Sequence, residues 1–153
     1  MIFKSDLINT ISKAAIIGTG IVFAANIICL AIAYARADKV AGTEQIGLFT
    51  IILAIVGIAD LVIGAVMKNK VLSPLFDTNF TVDKNNLWQH SIKATIVTAA
   101  ICSALPFYGL VAVLIEGNMN VMVAFAIASL SGFMVLRLRP RDFDKLKLDQ
   151  YNH

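Results

Sequence analysis

The stretch that decides the fold is Ile46–Met67, which reads IGLFTIILAIVGIADLVIGAVM. At about 22 residues and about 1.5 Å of rise per residue, it can cross a hydrocarbon layer about 30 Å thick as one helix. Asp60 is its only ionisable residue. A carboxyl group at that depth costs about 2.5–3.5 kcal/mol on insertion scales, so it calls for a partner or a task.

Outward from this run lie three more of the same kind, Ala14–Tyr34, Ala94–Ile115 and Asn120–Leu136. The chain is 58% hydrophobic and 15% charged, whereas a soluble domain carries about 25% charged residues. Because the apolar excess is gathered into four blocks, the sequence predicts an all-α integral membrane four-helix bundle made of two transmembrane hairpins. Residues 1–153 form a single membrane domain, with spans at about 14–34, 46–67, 94–115 and 120–136. The first run ends near Ala33-Tyr34-Ala35, which has the small-x-small look of a signal-peptidase site. At about 21 residues it exceeds a usual signal h-region, so it reads as a retained first span. Residues 68–93, with Pro74 and scattered apolar side chains, read as an interfacial loop. Residues 137–153 read as a polar cytoplasmic tail.

Charge sets the orientation. Four spans place the N-terminus, the central loop and the tail on one face. That face carries Lys4, Lys13, Lys68, Lys70, Lys84, Lys93, Arg137, Arg139, Arg141, Lys145 and Lys147, eleven in all, against Arg36 and Lys39 on the other. The positive-inside rule then puts both termini in the cytoplasm, as expected for a bacterial inner-membrane protein. No long basic run of the kind that grips nucleic acid is present.

Small residues recur along the spans and predict where helices approach closely in lipid. Gly18 lies with Ala14 and Ala25 on the first span. Gly57, Asp60, Leu61 and Gly64 share a stripe of the second at i, i+3, i+4 and i+7. Thr95, Thr98, Cys102, Pro106 and Gly109 line one side of the third, and Ala124, Ala128 and Gly132 repeat along the fourth. Pro106 removes one backbone hydrogen bond and frees a carbonyl near Cys102, a region that Ser103 can help to satisfy.

Few residues offer chemistry. Asp60 fits either a proton or cation carrier or a neutral acid holding helices together. Counting residues from the same face puts Asp60 about 12 Å deep and Asn26 about 20 Å deep. Asn26 is the expected partner, reached through helix tilt or a bridging water. By the same count Cys29 and Cys102 lie about 24 Å and 14 Å deep, too far offset for a disulfide between straight helices. Neither belongs to a CxxC or a Cys/His cluster, so no metal site is expected. His90 stands alone near the interface with no second axial His within a span, and no cofactor is expected. Glu116, in the turn Glu116-Gly117-Asn118, reads as a solvated turn residue. Trp88 occupies an aromatic-belt position. Arg137, Arg139 and Arg141 read as a basic fringe that meets anionic lipid or a partner. Phosphate loops, HExxH, GxSxG and catalytic carboxylate pairs are all missing from the sequence, so an enzyme is not expected.

Residues 103–115, SALPFYGLVAVLI, carry one resemblance. Ala104, Leu105, Tyr108, Gly109, Leu110, Val111, Leu114 and Ile115 resemble the ion-carrying helix of the rotor-ring proteolipids of rotary ATPases, as do the chain length and the four-span plan. The resemblance implies a homo-oligomeric ring that carries ions on an acid. The acid position of the motif falls on Ser103, and the motif lies in the first helix of its hairpin rather than the second. The chain is also similar to uncharacterised four-span bacterial inner-membrane proteins, which share a Tyr-Gly-Leu-Val stretch and an Arg/Pro-rich exit from the last span. The expected role is a structural or accessory subunit that meets the bilayer and other integral subunits, or itself. The alternatives are an ion-translocating proteolipid-like protein using Asp60 and a small oligomeric transporter.

Overall fold

A computed structural model describes residues 4–37, 46–76 and 83–143. Among them are four α-helices: α1 (Lys4–Ala37), α2 (Leu48–Leu72), α3 (Lys84–Glu116) and α4 (Met119–Leu136). Short 3-10 turns follow α2 at Ser73–Phe76 and α4 at Pro140–Phe143. All four helices are long and apolar enough to cross a membrane, and the described residues contain no strand. The chain is a small multi-pass membrane protein with an all-α bundle.

The bundle is centred on α3. This helix packs against each of the others, whereas α1 and α2, consecutive in the chain, make no contact with each other. Half of the apolar stretch of α3 is buried, against 17% of that of α2. On α1 the buried side chains fall three or four residues apart, through Leu7, Ile11, Ala14, Gly18, Val22, Asn26, Cys29 and Ala33, which is the seam of one helical face. The outward faces of α1 and α2 are lined by exposed isoleucine, valine and phenylalanine, as lipid contact requires.

The helices overrun the expected spans at one end. At 34 and 33 residues, α1 and α3 are each about 50 Å long, well beyond a hydrocarbon layer about 30 Å thick. The polar lead before Ala14 continues α1, and α3 starts ten residues before Ala94. Much of the expected interfacial loop is therefore helix. The reason is an apolar cluster at this end, where Leu7 and Ile11 of α1 meet Leu87 of α3, Leu72 and Leu75, and Phe143. Asp83 caps α3 by accepting the Asn86 N–H at 2.6 Å, and Lys84 pairs with Asp6 at 2.8 Å. Residues 77–82 lie outside the described set.

The start of the expected tail also folds back. Leu138 and Phe143 are buried, and Asp142 pairs with Lys68 of α2 at 3.1 Å. Residues 144–153 lie outside the described set. At the opposite end, Gly117 adopts φ 76° and donates its N–H to Val113 O at 2.8 Å. That left-handed closure of α3 suits glycine. Asn118 then caps α4 through the Asn120 N–H at 3.0 Å.

Candidate functional site

Asp60 lies half-buried on the face of α2 that meets α3, and Oδ2 accepts a hydrogen bond from the Tyr108 hydroxyl at 2.5 Å. The expected pairing with Asn26 does not form. Asn26 is on α1, and α3 stands between α1 and α2, so depth alone was a poor guide to neighbours. The Gly57–Gly64 stripe flanks this carboxyl group, with Gly57 in ordinary contact with its neighbours and Gly64 somewhat closer. Ideal Cβ atoms at Gly57 would lie 3.7–3.8 Å from Phe125, Leu105 and Tyr108, and one at Gly64 would lie 3.3 Å from Ile101.

Asn26 belongs to a second polar contact, deeper in the bundle. Its side-chain amide donates to Val22 O at 2.8 Å and to Ser129 Oγ of α4 at 3.1 Å. Ser129 in turn donates to Cys102 O of α3 at 2.8 Å. Cys102 stands four residues before Pro106, whose ring lacks the N–H that would normally bond that carbonyl. The freed acceptor is thus satisfied from α4, not by Ser103, whose hydroxyl is buried without a partner among the described residues. Asn26 Oδ1, Ser91 Oγ and Thr95 Oγ1 are likewise buried without partners among the described residues. Cys29 and Cys102 are both buried and free.

Three other glycines within the helices mark close approaches. A Cβ at Gly18 would stand 2.5 Å from the Phe133 ring and 2.6 Å from Thr95. At Gly109 it would stand 2.8 Å from Phe125 Cβ and 3.2 Å from Met122 Cα, and at Gly132 it would stand 2.7 Å from Leu61. These residues join α1, α3, α4 and α2 at distances no larger side chain permits without movement.

Glu116 is not a free turn residue. Its carboxylate accepts from the backbone N–H groups of Gly47 and Thr50, each at 3.1 Å, and from the Thr50 hydroxyl. The N-terminus of α2 has no side-chain cap of its own, and the first N–H groups of any helix lack intrahelical acceptors. The last residue of α3 supplies the missing acceptor and adds a favourable charge to the positive end of the α2 dipole. An uncapped Gly47-Leu48-Phe49-Thr50 start, at the same membrane edge as an acidic turn, was the available signal.

No protein-family model, curated protein or solved structure matches this chain.

The remaining predicted residues gather at the end that holds the starts of α1 and α3. Trp88 is half-buried and lines a recess with Asp6, Asn9, Thr10, Lys13, Lys84 and Asn85. His90 Nδ1 lies 2.9 Å from Val71 O, tying α3 to the end of α2. Arg137 and Arg141 are exposed. Arg139 is partly engaged, donating through Nη2 to Met134 O at 3.2 Å and through its backbone N–H to Asp142 at 2.9 Å. Groups of three His, Cys, Asp or Glu side chains able to share a metal ion are absent among the described residues.

Proposed function

We propose that this protein is a non-enzymatic integral subunit of a larger membrane assembly, lying in a bacterial inner membrane with both termini in the cytoplasm. One observation carries the reading. A crevice of about 250 Å³ opens between α2 and α4, lined by Ala54, Gly57, Leu105, Ala124, Phe125 and Ala128. Its walls are apolar, and the small residues Ala54, Gly57, Ala124 and Ala128 among them leave room for a second helix to approach where lipid gives no hydrophobic drive. The orientation rests on the eleven-to-two distribution of Lys and Arg.

A second reading, an ion carrier resembling the rotor-ring proteolipids, is favoured by one feature. Tyr108, within the motif-like stretch, holds Asp60, so an acid from α2 stands beside that stretch although the motif position itself is Ser103. Extraction of the full-length tagged chain from its native membrane in a mild detergent separates the two. The subunit reading expects a particle holding unrelated integral chains in fixed ratio, and loss of those chains in Ala124→Leu with helicity retained. A particle containing this chain alone, whose proteoliposomes pass protons unless Asp60→Asn is present, replaces it with the carrier reading.

A further inference from the structure

A groove of about 730 Å³ runs along the outer face of α1, closed at one end by the chain leaving α4. We infer that this groove holds one anionic phospholipid of the adjacent leaflet, its phosphate between Arg137 and Arg139 and an acyl chain along α1. The inference does not depend on the chain having partner subunits.

Three observations choose the occupant. First, charge. Arg137 and Arg139 stand at one end of the groove, and no acidic residue among the described residues lines it. Arg137 is exposed with no side-chain partner among the described residues, and Arg139 makes one guanidinium bond, to Met134 O, of the five N–H donors it owns. Two guanidinium groups can each donate to the two non-bridging oxygens of a tetrahedral phosphate diester. Second, depth. The groove runs along α1 from Ile8 to Phe23, about 22 Å of helix, which is the depth of one leaflet with its headgroup region, about 20–22 Å. Third, shape. Gly20 lies in the groove wall, and a Cβ there would meet nothing within 4 Å. Ile16 and Phe23 flank it as exposed apolar walls. A lipid brings its phosphate to the arginine end and its chain along α1 at the required spacing.

The test is native mass spectrometry of the full-length chain, delipidated and supplied with equal phosphatidylglycerol and phosphatidylcholine in detergent. The expected wild-type spectrum retains one phosphatidylglycerol in preference to phosphatidylcholine. In Arg137→Gln and Arg139→Gln that preference falls by about fivefold for each arginine removed. Gly20→Leu, which fills open space, abolishes retention of both lipids while circular dichroism stays unchanged. Equal retention of the two lipids by the wild type, an unchanged preference in the double arginine variant, or full retention in Gly20→Leu each overturns the assignment. So does a dimer that displaces the lipid, because a second copy then fills the groove.

Discussion

Tyr108 on α3 places its hydroxyl 2.5 Å from Oδ2 of Asp60 on α2, so the acid of the second span is held by the third helix and not by the first. Asp60 has no other bonded partner among the described residues. Removing the hydroxyl in Tyr108→Phe leaves a carboxyl group without a partner inside a membrane span. The expected cost is about 1–3 kcal/mol, the desolvation penalty of an unsatisfied buried group. Asp60→Asn keeps an acceptor for Tyr108 and is expected to cost less than Asp60→Ala. Unfolding by titration of SDS into mixed micelles measures both. A double-mutant cycle of Tyr108→Phe with Asp60→Ala should return a coupling of about 0.6–1.7 kcal/mol. A coupling of zero would show that the pair contributes nothing to packing.

The four apolar helices were legible because each contains a continuous apolar run, and Asp60 was conspicuous as the one acid within those runs. Its partner was not, because residue counting fixes depth along a helix and says nothing about which helices adjoin. Placing Asn26 beside Asp60 assumed that consecutive spans pack together, and α3 separates them. The early start of α3 had a trace in the sequence, since Leu87, Ser91 and Ala94 already follow helical spacing. Their polar neighbours masked it, and only the apolar cluster formed with Leu7, Ile11 and Phe143 makes that extension worth burying. The role of Glu116 was hidden for another reason. It completes a helix 66 residues away in the chain, at Thr50, and a turn residue shows no such debt locally.

The glycines predict a series in which substitution changes sign with position. At Gly109 a methyl group would press on Phe125 Cβ and on Met122 backbone, neither of which can swing away. Gly109→Ala is expected to destabilise by about 1–3 kcal/mol, the usual cost of overpacking. Gly57→Ala adds only ordinary van der Waals contacts and is expected to be tolerated, although its stripe looked the more demanding in the sequence. Gly20→Ala meets nothing and should stabilise by up to about 1 kcal/mol through helix propensity. Thermal unfolding in one detergent orders the three. If Gly57→Ala proved as costly as Gly109→Ala, α2 would have to lie closer to Phe125, Leu105 and Tyr108 than 3.7–3.8 Å contacts at Gly57 allow.

The contact between Ser129 and Cys102 O predicts a rescue. Pro106 cannot supply the amide hydrogen that would bond the Cys102 carbonyl, and Ser129 does so from α4 at 2.8 Å. Ser129→Ala therefore leaves two groups short, the carbonyl and the Asn26 amide that donates to Ser129 at 3.1 Å. A loss of about 0.6–1.7 kcal/mol is expected for interhelical hydrogen bonds in a membrane protein. Pro106→Ala restores the backbone N–H four residues after Cys102, so the carbonyl regains an acceptor role within its own helix. The Ser129→Ala loss should shrink in the Pro106→Ala background, leaving mainly the Asn26 contribution, which Asn26→Leu removes in turn. The outcome that would defeat this account is strict additivity of Ser129→Ala and Pro106→Ala, because the hydroxyl would then be serving something other than the carbonyl that proline exposes.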